Sequence, residues 1–177
     1  FKNKKIFCLG SNVNPGIAEL CSDFTVANIN HTQTITDYAY ITFYLSPSDC
    51  HRIMSPSDGK IQQIDGIQGH LFPVREPFIS EHASLYNANE RSVITLKTPH
   101  STVYLVAVSA INVSKISCTF DSSFIHQSAK NEIYSIPYSP AHTVQKGEWI
   151  QTFHLGSTVV LIMDPSISFI PQLKSKQ

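Results

Sequence analysis

A chain of 177 residues that is 42% apolar and 15% charged is long enough for one domain with a sizeable core. Its 13 basic and 13 acidic residues cancel, which removes the basic stripe of a nucleic-acid binder and any long polybasic patch for anionic lipid. No apolar run approaches the ~20 residues of a membrane-spanning helix, and no secretory signal opens the chain. Because the chain begins at Phe1 and not at Met, we expect a fragment or a processed product.

The early residues are mixed. Ile6-Phe7-Cys8-Leu9 reads as a short strand, Asn14-Pro15-Gly16 as a turn, and Ile17 to Cys21 as a short helix with apolar residues at helical spacing. From Tyr38 to Leu45, aromatic and β-branched residues occupy both alternating sets, predicting a strand covered on both faces. Ser46-Pro47-Ser48-Asp49 ends it and offers caps for a one- or two-turn helix through His51 and Arg52. Ser55 to Gly59 is a turn, and Lys60–Ile64 a strand.

Ser92–Leu96 and Thr102–Val108 flank Thr98-Pro99-His100-Ser101 as a hairpin. A further strand is expected over Ala110–Phe120, then an irregular polar segment from Asp121 to Ser139, then a turn over Val144–Glu148. Trp149–Phe153 leads to Leu155-Gly156-Ser157-Thr158 and the apolar, β-branched run Val159 to Met163. The expected fold is mostly β (α+β): packed antiparallel sheets with one or two short helices in a single domain.

Cys8, Cys21, Cys50 and Cys118 show no metal spacing and have apolar neighbours, so they read as buried free thiols. His31, His82, His100, His126 and His142 have loop-like surroundings without ligand spacing, and no metal is expected. Asn30-His31-Thr32 and Asn112-Val113-Ser114 match a glycosylation pattern by chance, the second inside a strand pattern.

Three stretches can carry chemistry. His51 and Arg52 at a strand end present an imidazole and a guanidinium, suited to a phosphate or carboxylate plus a proton transfer, although a solvated surface helix gives the same sequence. Glu90-Arg91 enters a strand as a charged pair, a pattern typical of solvated strand ends and also compatible with a pocket wall. Gly156-Ser157 sets a residue without Cβ before a hydroxyl and a buried strand. Such a step is usually a turn, but a serine hydroxyl can also attack the carbonyl before it if the peptide is held and a base takes the proton. His154 and Gly156 would point to one side of an extended segment and Ser157 to the other, so His154 is a poor candidate for that base.

In order along the chain stand Phe43-Tyr44-Leu45-Ser46-Pro47-Ser48-Asp49-Cys50-His51-Arg52, Leu71-Phe72-Pro73-Val74 and Asn89-Glu90-Arg91. Val106 to Val113 and Leu155-Gly156-Ser157-Thr158 follow. With these pieces the chain resembles the phosphatidylserine decarboxylases, pyruvoyl-dependent proenzymes, over about residues 36–165. The resemblance implies self-cleavage between Gly156 and Ser157, dividing the single domain (residues 1–177) into a β chain of residues 1–156 and an α chain of residues 157–177, and a pyruvoyl group made from Ser157. It implies phosphatidylserine as substrate, phosphatidylethanolamine and CO2 as products, His51 and Ser157 as catalytic residues, and His51, Arg52 and Phe72 as substrate contacts. It also implies a peripheral place on the cytoplasmic face of a membrane of bacterial type, a homodimer, and a family N-terminal segment missing here.

The departures are specific. Met54 stands where the family has the second histidine of the pair, the base for the serine, and a thioether accepts no proton. No Pro-x-Asp-Gly segment precedes residue 36. Pro56-Ser57-Asp58-Gly59 comes after His51 and reads as a turn. Cys50 replaces a common Tyr, and Ser109 and Ser114 stand where Gly is usual. The alternative is therefore a processing-deficient homologue that binds phospholipid headgroups or a partner without catalysis.

Overall fold

The computed structural model describes residues 25–28, 31–34, 39–45, 49–74, 78–81, 85–111, 115–127, 134–154 and 157–163. The strand expected at Ile6–Leu9, the helix at Ile17–Cys21, Ser46 to Ser48 and Gly156 lie outside them. The elements are β1 (Thr25–Asn28), β2 (His31–Thr34), β3 (Ala39–Leu45), β4 (Arg52–Met54) and β5 (Gly59–Ile67), then the one-turn helices α1 (Phe78–Glu81) and α2 (Leu85–Ala88). They continue with β6 (Arg91–Lys97), β7 (Thr102–Val108), β8 (Lys115–Cys118), β9 (Ile125–Gln127), β10 (Tyr134–Val144), β11 (Trp149–Phe153) and β12 (Ser157–Met163). Apart from the β1–β2 hairpin, they form a six-stranded sheet in the order β10-β5-β6-β7-β12-β3 and a four-stranded sheet in the order β4-β11-β8-β9. Every pairing between these strands is antiparallel. The mostly β, single-domain expectation holds.

The alternation of apolar residues explains the layering. Ile64, Ile94, Leu96 and Leu105 of the large sheet meet Ile53, Ile116, Ile150 and Phe153 of the small one in a core between the sheets. Val93, Val106, Val108, Val160 and Ile162 face the other way, against Val74 and Leu85 and Tyr86 of α2. Each such side chain contributes ~1.5–3 kcal/mol on leaving water. The large sheet is thus buried on both faces. In β3, Phe43 and Leu45 pack on the first core and Tyr40 and Tyr44 on the second, as the strand's two-faced pattern predicts.

Three local expectations are corrected. The helix through His51 and Arg52 is instead β4, whose Ile53 is buried while Arg52 and Met54 are exposed, a period of two and not of 3.6. The strand over Ala110–Phe120 shortens to Lys115–Cys118. Within the segment Asp121–Ser139, β9 and the start of β10 are ordered. Pro137 and Pro140 are tolerated in β10 because it is an edge strand, and its register with β5 shifts between Pro137 and His142.

The expected turn over Val144–Glu148 follows β10. Gly147 adopts φ +81° there, a conformation glycine takes without strain. Cys118 is buried, and desolvation pushes its thiol up to about 12. Cys50 is exposed, which corrects the reading of a buried thiol.

Candidate functional site

The site forms at the corner where two neighbouring strands leave the large sheet for the small one. In the large sheet β12 lies beside β3, with Ser157 opposite Leu45 and Thr158 opposite Tyr44. In the small sheet β11 lies beside β4, with Thr152 opposite Arg52. The chain passes from β3 to β4 through His51 and from β11 to β12 through Gly156. Both crossings are pinned on either side: Leu45 pairs with Ser157, and Phe153 N–H donates to the His51 carbonyl at 3.0 Å. Strands that change sheets turn such corners with local irregularity.

His51 is half-buried at this corner. Its Nδ1 lies 2.6 Å from the Asp49 carbonyl oxygen. A carbonyl only accepts, so Nδ1 carries the hydrogen, and in a neutral ring Nε2 keeps its lone pair. That Nε2 is buried and has no hydrogen-bond partner. Arg52 is exposed, its guanidinium 4.4 Å from the ring centroid of Trp149. Met54, 42% exposed, lies opposite Trp149 on the same outer face. His154 is exposed, and its Nε2 is 3.0 Å from Ser117 Oγ.

The strands beside β12 bring the other family segments to the same end of the sheet. Thr158 is opposite Val108, Val108 is opposite Arg91, and Arg91 is opposite Ile67. Asn89 binds them together while fully buried: its Nδ2 donates to the carbonyls of Phe72 and Ser109, each at 2.9 Å, and its Oδ1 accepts from Phe72 N–H at 3.0 Å. Ser109 N–H donates to the Glu90 carbonyl, and Glu90 N–H to the His70 carbonyl, both at 2.8 Å. Gly69 makes this seam possible, since a Cβ there would run into the Ala88 carbonyl oxygen. Phe72 is half-buried against the second core, its ring centroid 4.8 Å from that of His70.

Glu90 and Arg91 are buried, contrary to the solvated strand end that such a pair suggests. Arg91 Nη1 donates to the carbonyls of Asn87 at 2.7 Å and Asn89 at 3.0 Å. Desolvation pulls its guanidinium down to about 10, which leaves it charged at neutral pH. The hydroxyls of Thr158 and Ser109 are buried without a partner. Orphaned polar atoms carry a cost of about 1–3 kcal/mol each unless something else engages them, and three of them (with His51 Nε2) belong to residues of this corner and its flanking strands.

Of the residues expected at the site, His51, Arg52 and Ser157 lie at this corner and Phe72 at the same end of the large sheet, whereas Asn89 as the tie and Gln151 as a link between sheets were not anticipated. Gln151 is fully buried, and its Nε2 donates to Ser92 Oγ at 2.9 Å. The amide side chain of Gln151 between Ile150 and Thr152, in a strand with Trp149 and Phe153 at its ends, was the available signal. Asp65 was also missed. It is buried on β5, accepts from Gln63 Nε2 at 2.7 Å and from Ser135 Oγ, and desolvation raises its carboxyl to about 6. Among the described residues no group of His, Cys, Asp and Glu side chains has the arrangement to hold a metal ion.

A cleft lies elsewhere. It has a volume of about 700 Å³ and is lined by Asp58, Lys60, Lys97, Thr98 and Thr143 at the opposite end of the large sheet. The length of β6 separates the two ends by roughly 20 Å. We place the site at the corner because three buried, unengaged polar atoms, those of His51, Ser109 and Thr158, lie there together with the segments of the resemblance.

The family model described as phosphatidylserine decarboxylase matches residues 15–177. A phosphatidylserine decarboxylase proenzyme of Helicobacter pylori (strain J99) is 33% identical over 127 residues, covering 71% of this chain and 48% of that protein. The protein of that name in Myxococcus xanthus is 35% identical over 127 residues, with 72% and 45% covered. A mitochondrial phosphatidylserine decarboxylase proenzyme 1 of Oryza sativa is 32% identical over 139 residues, with 72% and 32% covered. The chain spans about half the length, or less, of these curated relatives.

Proposed function

Since the chain belongs to the phosphatidylserine decarboxylase family, we propose that it cuts itself between Gly156 and Ser157 and then decarboxylates phosphatidylserine to phosphatidylethanolamine. The products of the cut are a β chain of residues 1–156 and an α chain of residues 157–177. The observation that carries this reading is the gathering of Leu45, His51, Asn89 to Arg91, Ser109 and Ser157 at one end of the large sheet.

The residues of the corner fit a pyruvoyl group derived from Ser157. Ser157 opens β12 at a position fixed by pairing with Leu45, so the new chain end stays in the sheet after a cut. His51 Nε2 is buried with its lone pair open. When formed, a pyruvoyl carbonyl supplies the electron sink for the carbanion that loss of CO2 leaves behind. His51 holds or delivers the proton at Nε2, kept in that tautomer by the Asp49 carbonyl. Arg52, exposed beside the corner, meets the headgroup phosphate with a forked donor set, and Phe72 walls the near side. The carrier of the substrate is a membrane surface, with which the domain associates peripherally at the cytoplasmic face, as a homodimer.

The second reading is a homologue that keeps the fold and the headgroup contacts but does not process itself. Met54, an exposed thioether at the position of a family base, favours it. Vesicles containing phosphatidylserine separate the two. The decarboxylase reading expects phosphatidylethanolamine and CO2 from the wild type and none from Ser157→Ala. Vesicle binding without product by a folded wild type would establish the second reading instead.

A further inference from the structure

At the end of the large sheet away from the corner, the register places Thr143 of β10 opposite Lys60 of β5, Lys60 opposite Lys97 of β6, and Lys97 opposite Thr102 of β7. Residues directly opposite share a face of the sheet, so two lysines stand side by side in one row with a threonine at each end. The Cβ atoms of such a pair lie about 5 Å apart, close enough for like charges to repel and for one anion to touch both. Among the described residues neither lysine has an acidic partner: Lys97 Nζ donates to Thr102 Oγ1 at 3.4 Å, and Lys60 makes no ion pair.

Lys60, Lys97 and Thr143 line a cleft of about 700 Å³, within the range of small-molecule sites. Asp58 is the one carboxylate among its lining residues, and its Oδ1 is occupied by the Lys146 N–H at 2.7 Å. One wall is fixed before anything binds. Thr98 closes the turn after β6: its N–H and its Oγ1 both donate to the Ser101 carbonyl, at 2.8 and 2.9 Å, and Oγ1 accepts from Ser101 N–H at 3.0 Å. Ser101 is buried in that turn, and its Oγ is unpartnered.

We propose that this cleft binds a phosphate monoester group, with Lys60 and Lys97 as its cationic contacts and the Thr143 hydroxyl as a further donor. Such a group carries close to two negative charges at neutral pH, which matches the pair, whereas a single carboxylate would leave one ammonium unanswered. Lysine meets phosphate as a point charge and needs no forked geometry. The group arrives either on a soluble phosphate ester or on a lipid headgroup of the phosphatidate type, and the cleft recognises the chemistry common to both. The site lies roughly 20 Å from the corner, so it shares no residue with the proposed catalytic machinery and does not depend on self-cleavage.

The test titrates the full-length protein with inorganic phosphate at constant ionic strength and reads the melting temperature against sodium chloride. Phosphate at about ten times its Kd should raise the midpoint by roughly 3 °C. Lys60→Gln and Lys97→Gln should each weaken the apparent affinity about tenfold while melting in chloride no lower than the wild type, and Lys60→Arg should keep the effect. Glycerol phosphate and phosphatidylcholine vesicles carrying phosphatidate separate the two sources. Lysine-dependent protection by glycerol phosphate without vesicle binding supports a soluble ligand, and lysine-dependent cosedimentation with the vesicles supports a lipid one. A phosphate effect of equal size in the wild type and both glutamine variants overturns the inference, because the anion then binds elsewhere. No phosphate effect together with no lysine-dependent vesicle binding overturns it as well. Cutting at 156/157 should be unchanged in both glutamine variants, so the two proposals fail separately.

Discussion

The two ends of the six-stranded sheet are built from the same strands and differ in what they do with polar groups. At the corner end, Asn89, Glu90, Arg91, Ser109 and Thr158 are buried, and the backbone is seamed by side-chain and loop hydrogen bonds. At the far end, of the described polar residues only Thr98 and Ser101 are buried, within one turn, while Lys60 and Lys97 stand exposed and directly opposite one another beside an open cleft. Burial of polar groups is costly, and a fold bears that cost where geometry has to be fixed. The cleft at the far end is therefore a poorer guide to the site than the buried polar atoms of the corner.

That contrast can be broken at several points. The largest effect on stability is expected for Asn89→Ala, which removes three hydrogen bonds and strands the Phe72 amide and the Ser109 carbonyl. A loss of about 4 kcal/mol in urea unfolding is predicted. A loss under ~1 kcal/mol would mean that the Phe72 segment is not held to the sheet by this residue.

Midway along the sheet, Asp65 sharpens the comparison because it is buried outside the site. Its folded-state value of about 6 lies above the usual carboxylate value of 3.8, so the folded chain binds the proton more tightly than the unfolded one. Its protonation linkage therefore leaves the fold most stable below the usual carboxylate range and costs about 3 kcal/mol as pH rises through that range to neutral. Asp65→Asn should raise stability by about 2 kcal/mol at neutral pH, and the gain should fade in acid. Unfolding curves that show the same difference at both pH values would contradict a buried, proton-linked carboxyl.

The smallest effect belongs to the far end. Lys97→Gln removes one of two like charges facing across adjacent strands and should stabilise by about 0.5 kcal/mol or less, with the gain screened by salt. A loss above ~1 kcal/mol would show that this end is structured by its lysines and would erode the contrast.

Much of this was legible in the sequence where one physical signal dominates. Aromatic and β-branched residues on both alternating sets marked β3, and the turn chemistry of Thr98-Pro99-His100-Ser101 marked β6 and β7 on either side of it. The order of motifs led to the family. What escaped was set by tertiary context. Ser48-Asp49 resembles a helix cap, yet pairing with β11 turns Arg52 to Met54 into a strand. Pro137 and Pro140 hid β10, because nothing local distinguishes an edge strand, where proline is tolerated, from a loop. Glu90-Arg91 looked solvated, since only the packing of Asn89 and its neighbours against β5 and β7 buries it. The open Nε2 of His51 depends on the Asp49 carbonyl, a backbone group that no residue identity announces.

The most direct test of the account is the intact mass of the full-length protein under denaturing conditions. The account predicts two fragments divided at 156/157, the smaller one lighter by one ammonia than the unmodified peptide from Ser157 onward. A single species with Ser157 still in an amide, from protein that is folded, would contradict it.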